Sequence, residues 1–212
     1  METPIVMNIM EGLFEFNAQM QIKPNIAKTY YVTSDQKTFT FKLRTDVKWS
    51  DGKPLTANDF VYSWKRLLDP FTAAPYAYLL FDIEGAEDFN KRKLDDFSKV
   101  GIKATDSSTI VIKLRKPVTY FLQLFTFWIT FPQREDILTK YGISWTQPGK
   151  IVVLGPYIPT QYQAQSHITL KRNDLYFGKR PSVDTVTMKF INEDTTALNL
   201  FKAGQLDFVR PV

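Results

Sequence analysis

The sequence predicts an α+β chain, a mixed sheet with helices packed on it, and three observations predict it. Phe39, Phe41 and Leu43 alternate with Thr40, Lys42 and Arg44, the period-two pattern of a half-buried strand. Val47 to Pro70 reads as a strand end, a tight turn and a capped amphipathic helix. From Gly155 the texture changes, and His167 to Lys171 and Val183 to Ile191 alternate as strands do.

The helix carries the most detail. Ser50-Asp51-Gly52 supplies turn chemistry, with Gly52 free to take positive φ. Thr56 stands at the N-cap with Asp59 three residues on, a capping-box spacing that satisfies otherwise orphaned backbone N–H groups. Phe60, Val61, Trp64, Leu67 and Leu68 follow at helical spacing, so one face is buried, and Asp69-Pro70 stops the helix. Ile102 to Thr105 and Thr109 to Arg115 form a predicted hairpin across Asp106-Ser107-Ser108, with Ile110, Ile112 and Leu114 on one face. Pro117 opens a predicted second helix that carries Tyr120, Phe121, Leu124, Phe125 and Trp128. Glu135 to Tyr141 is a short helix ending at Gly142. Asp194 caps a predicted helix bearing Ala197, Leu198 and Phe201 that ends at Gly204, and Leu206 to Val209 reads as a last short strand. Periodicity assigns Trp49, Phe60, Trp64 and Trp128 to the core.

Composition excludes several function classes. At 212 residues, with 44% apolar and 15% aromatic residues, the chain buries a sizeable core. No apolar run approaches the roughly 18 residues of a membrane span, and Met1-Glu2-Thr3-Pro4 lacks the basic start and apolar stretch of a signal peptide. The net charge of +5 invites a nucleic-acid reading. Lys28, Lys37, Lys42, Lys48, Lys53, Lys103, Lys113 and Lys171 are nevertheless spread along strands and turns, as on a solvated sheet face, so nucleic acid is not an expected partner. With no cysteine and one histidine, His167, neither a disulfide nor a transition-metal site is expected. His167 also lacks a nucleophile elbow nearby, and reads as a surface or edge-strand residue. Glu84, Glu87 and Asp88, and Asp95 with Asp96, lack the spacing of a calcium loop and read as solvated charges. No phosphate-cradling glycine loop is present. No catalytic residue, cofactor or metal is expected, and the chain reads as a non-enzyme.

The wording of successive blocks adds a further signal. They are Met10-Glu11-Gly12-Leu13, Thr38 to Leu43, WSDGKPLTANDFVYSWKRLLDP at residues 49–70, and Ala74-Pro75-Tyr76-Ala77. Gly101-Ile102-Lys103-Ala104 through Lys116-Pro117, Trp145-Thr146-Gln147-Pro148, Gly155-Pro156-Tyr157, Lys171-Arg172-Asn173 with Tyr176, and Gly204-Gln205-Leu206-Asp207 complete the series. In order and spacing they resemble the extracytoplasmic solute-binding proteins of peptide ABC importers, the oligopeptide-binding (OppA-like) family. Met10 stands where that family usually has an aromatic residue.

The resemblance implies part of the first lobe of a two-lobed periplasmic binding protein fold. Residues 13–150 would form an α+β subdomain of that lobe. Residues 1–12 and 151–212 would belong to its sheet domain, which bears the ligand cleft and hinge. Family members are more than twice as long, so the chain reads as an N-proximal fragment without the second lobe. Apolar surface would then be uncovered around Ile5 to Ile9 and Leu206 to Val212. The implied function is non-covalent peptide binding in a cleft for delivery to ABC permease subunits, in a periplasmic or surface-anchored extracytoplasmic setting. Tyr76 corresponds to a cleft-lining tyrosine. Arg210, Pro211 and Val212 occupy the stretch that meets the ligand backbone, although a proline there donates no N–H. With one lobe, peptide binding is expected to be weak or absent. Alternatives are a stand-alone module offering its half-cleft as a protein-interaction surface, or a binder of another small solute such as a nickel chelate or an oligosaccharide.

Overall fold

The computed structural model describes residues 2–209. Among these residues are five α-helices and nine strands, the strands forming three antiparallel sheets, with short 3-10 turns between the elements. Helix α1 (Glu2–Ile9) leads into the hairpin β1 (Phe14–Phe16) and β2 (Ile22–Pro24). Strands β3 (Ala27–Val32) and β4 (Thr38–Leu43) follow, then α2 (Ala57–Leu68) and α3 (Ala86–Asn90). Strands β5 (Ile102–Asp106) and β6 (Thr109–Lys113) complete a four-stranded sheet in the order β3-β4-β6-β5. Helix α4 (Glu135–Tyr141) ends at Gly142, whose φ is +51°. The third sheet, β7 (Tyr157–Gln163), β8 (His167–Arg172) and β9 (Thr185–Lys189), precedes α5 (Asp194–Lys202).

Pattern and burial agree on the central sheet. Phe39, Phe41 and Leu43 are buried, as are Ile110 and Ile112 opposite them, and Phe39 pairs with Ile112 and Phe41 with Ile110. Helix α2 lays Phe60, Trp64 and Leu67 on this face. Its start is held by Asp59, whose carboxylate accepts from the Thr56 backbone N–H at 2.8 Å and the Thr56 hydroxyl at 3.1 Å. Burial pushes the Asp59 carboxyl up from its ordinary value, against the pull of those donors. Phe121 and Phe125 fill the space between helix and sheet, with ring centroids 4.9 Å from Phe39, 5.4 Å from Phe41 and 5.2 Å from Trp64. Residues beyond 150 join the same core: Val153, Leu154, Tyr157, Ile168 and Leu170 pack with Ile9, Met10 and Leu13.

Five expectations need correction. The α+β class holds, but every strand pairing among the described residues is antiparallel, so the sheets are not mixed in direction. Pro117 opens no α-helix; Phe121–Thr126 and Trp128–Thr130 are 3-10 turns, because Phe127 between them is extended. Leu206 to Val209 has no strand partner and forms no strand. Glu193, not Asp194, stands at the N-cap of α5, and Asp194 opens its first turn. Ile9 is buried, and Ile5 and Val6 pack partly against the core, so the surface expected there is largely covered, whereas Phe208 is exposed.

Candidate functional site

Tyr76 stands at the start of the 3-10 turn Ala77–Leu80. Ala77 and Leu80 are buried beneath that turn, and side chains three apart in a 3-10 turn eclipse one another. Tyr76 and Tyr78 are therefore turned outward, 39% and 57% exposed. Facing them is the extended Phe127 with Trp128. The Tyr76 ring meets Phe127 edge-on at 5.8 Å and 86°, and Trp128 at 6.3 Å and 80°. Tyr78 lies 6.4 Å from Tyr76, and Phe127 5.4 Å from Trp128. The four rings form an open aromatic wall.

Helix α2 fixes this wall from behind. The Trp64 indole N–H donates to the Thr130 carbonyl at 2.8 Å, and the Ser63 hydroxyl to the Phe131 carbonyl at 2.7 Å. Thr130 turns its own hydroxyl onto the carbonyls of Leu124 and Phe127. A second tie joins the two wall segments: the Tyr120 hydroxyl donates to Asp82 at 2.6 Å, which raises the Tyr120 phenol above its ordinary value. Trp128, expected in the core, is half-buried on the wall. Its indole N–H has no partner among the described residues, whereas those of Trp64 and Trp49 are paired.

A second polar feature lies at the junction of the three sheets. Glu11 is partly buried, with its carboxylate accepting from Asn25 Nδ2 at 2.6 Å and from the Tyr176 hydroxyl at 2.8 Å. Burial pushes the Glu11 carboxyl up, and the two hydrogen bonds offset this only in part. Burial and the neighbouring Glu11 charge push the Tyr176 phenol well above its ordinary range. Beside this group the Ile9 carbonyl accepts from the N–H groups of Leu154 and Gly155 at 3.2 and 2.8 Å, and buried Asn173 donates to the Gly155 carbonyl at 2.9 Å. Sequence reasoning gave Glu11 no role. The available signal was a lone carboxylate inside the apolar run Met10 to Leu13.

The other candidates scatter. His167 opens the central strand β8, not an edge, and touches only the Ser166 hydroxyl in its hydrogen bonding. Glu87 is paired with Lys91 and Arg115. Among the described residues no cluster of three His, Cys, Asp or Glu is placed to hold a metal ion, and no helix is long and apolar enough to cross a membrane. Arg210, Pro211 and Val212 lie outside the described residues.

Comparison with known proteins bears on what such a wall could serve. The family model described as bacterial extracellular solute-binding proteins, family 5 Middle, matches residues 21–212. The chain is 37% identical over 209 residues to the periplasmic oligopeptide-binding protein OppA of Escherichia coli, covering 97% of this chain and 38% of that protein. Among solved structures, the substrate-binding domain of an oligopeptide ABC transporter from Bacillus anthracis superposes with a TM-score of 0.91 at 36% identity, covering 96% of this chain and 39% of that one. Haemophilus influenzae OppA, solved in complex with RPPGFSPFR, gives a TM-score of 0.91 at 34% identity, covering 97% of this chain and 40% of that one. The chain thus spans about two fifths of the length of these relatives.

Proposed function

The chain belongs to the bacterial extracellular solute-binding proteins of family 5, and from that premise we propose that it holds peptides for an ABC importer. Peptide would be bound non-covalently, outside the cytoplasm, and handed to membrane permease subunits without chemical change. The observation that carries this reading is the likeness, along nearly the whole chain, to proteins named for binding oligopeptides. The open wall at Tyr76 is where the geometry offers a ligand contact. Peptides are held chiefly through their backbone, with roomy pockets for side chains, and an aromatic wall with free hydroxyl groups suits that task.

In this reading residues 13–150 form one subdomain, and residues 1–12 with 151–212 form part of the cleft-bearing sheet domain. Tyr76 lines the cleft, and Arg210, Pro211 and Val212, outside the described residues, are further ligand contacts. Binding by residues 1–212 alone is weak. One wall leaves the ligand wet on its other side, so polar contacts compete with water. Each loss of about 1.4 kcal/mol is a tenfold loss of affinity, and several such losses carry micromolar binding to millimolar.

Titration of the isotope-labelled chain with tri- to pentapeptides, followed by NMR, tests both parts. The expected result is fast-exchange shifts at Tyr76 and its neighbours with millimolar affinity. Shifts confined to residues remote from Tyr76 would overturn the site, and micromolar affinity would overturn the weak one-wall reading.

A further inference from the structure

Neither of the two segments that build the wall carries a charged side chain. Pro70 to Phe81 and Pro117 to Gln133 contain no Asp, Glu, Lys, Arg or His, in a chain where 23% of residues are charged. Of the carboxylates that flank the first segment, Asp82 accepts from the Tyr120 hydroxyl and Asp69 from the Phe71 N–H. The two wall segments therefore supply no charge of their own to pair with a charged ligand side chain. The wall does have ring surface: Tyr76 meets Phe127 and Trp128 edge-on, an arrangement that leaves ring faces open to a further ring. It also has unengaged polar tips, since the Tyr76 and Tyr78 hydroxyls and the Trp128 N–H find no partner among the described residues, while the core tryptophans do.

We propose that this wall selects among peptides by a neutral, ring-bearing side chain (Phe, Tyr or Trp), laid against Tyr76 and Trp128 with the adjoining peptide carbonyl accepting from the Trp128 N–H. The proposal rests on the peptide reading above and adds the substrate class. A ring offers the wall both apolar burial and edge-to-face contact. A carboxylate would lose hydration with no cation to receive it. Lysine or arginine could stack on the rings, but the chain carries a net charge of +5, which opposes their approach. Trp128 is thereby a specificity-determining residue.

The test follows the Trp128 indole cross-peak in the full chain, identified by its loss in Trp128→Phe, during titration with Ala-Phe-Ala, Ala-Leu-Ala, Ala-Glu-Ala, Ala-Lys-Ala and 2-phenylethanol. Ala-Phe-Ala is expected to shift the Trp128 peak with at least tenfold higher affinity than Ala-Glu-Ala or Ala-Lys-Ala. Ala-Leu-Ala should fall between, and the indole peaks of Trp49 and Trp64 should not move. Tyr76→Ala should erase the preference while those two core peaks stay in place, which reports that the variant is folded. Equal affinities across the tripeptides, or a preference for the lysine peptide, would overturn the selectivity while leaving the peptide site standing. 2-Phenylethanol, which has the ring and no carbonyl, binding as tightly as Ala-Phe-Ala would overturn recognition of the carbonyl. No shift at Trp128 with any tripeptide would overturn the site and this inference together.

Discussion

Two aromatic clusters stand back to back across the segment from Phe121 to Phe131, built from the same residue types and put to opposite use. On the inner side Phe121, Phe125, Trp64, Phe60 and Phe41 are fully buried, and the one indole N–H among them is bonded to the Thr130 carbonyl. On the outer side Tyr76, Tyr78, Phe127 and Trp128 are exposed or half-exposed, with polar tips unengaged among the described residues. The difference teaches that ring content alone says nothing of role; the fate of each ring's polar atom does. A buried donor left unpaired costs stability, so core tryptophans are paired, whereas a wet wall keeps its donors for whatever binds.

The contrast can be broken experimentally, beginning with the largest effect. Trp64→Ala should destabilise by about 3–5 kcal/mol, because it leaves a large cavity and strands the Thr130 carbonyl. An unchanged denaturation midpoint would place Trp64 outside the core. Ser63→Ala strands the Phe131 carbonyl and should cost about 1–2 kcal/mol in urea unfolding. It should also broaden the NMR signals of Phe127 and Trp128, since one of the three hydrogen bonds holding the wall segment to α2 is gone. Tyr76→Ala, by contrast, should change unfolding free energy by about 1 kcal/mol or less while abolishing peptide-induced shifts. A large loss of stability would move Tyr76 to the inner cluster.

The smallest effect concerns Glu11 and shows itself in slope rather than size. Its carboxyl is raised in the folded protein by burial, so the folded state holds the proton more tightly than the unfolded chain. Stability from this source is complete below the ordinary value of 4.5 and is lost as pH rises through the raised one. Glu11→Gln removes that loss. The difference in melting temperature, variant minus parent, should therefore climb with pH across this window and level off above it. A flat difference would show that Glu11 is as well stabilised folded as unfolded.

Where the sequence was legible, it was because a period ran long enough to be read. Strand β4 shows three clean alternations, and α2 shows a cap, three turns of apolar spacing and a stop. The 121–130 segment misled because Phe121 and Phe125 sit four apart, as on an α-helix, while Pro117, Pro132 and the β-branched Thr119, Thr126, Ile129 and Thr130 limit that helix. The hairpin β1–β2 passed unread, since three residues per strand establish no period. Helix α1 was equally silent, with Ile5 and Val6 disfavouring the state its packing imposes. Leu206 to Val209 has a strand's composition, but a strand requires a partner as well. As for the wall, wording drew attention to Tyr76, while Phe127 and Trp128 joined it only through the fold.

The carbonyl of Ile9, together with Glu11, dictates an order of events. Three of their partners, Leu154, Gly155 and Tyr176, lie more than 140 residues away along the chain, so these contacts wait for distant segments to meet, whereas the Glu11–Asn25 bond is local. The β3-β4-β6-β5 sheet and α2 need no such delay, because the sheet is complete by Lys113 and the Ser63 and Trp64 bonds reach no further than Phe131. The middle can therefore settle before Ile9 and Glu11 meet their distant partners. In pulse-labelled refolding, the amides of Leu154 and Gly155 should gain protection after those of Phe41 and Ile112; the reverse order would show that the Ile9 contacts guide folding instead of closing it.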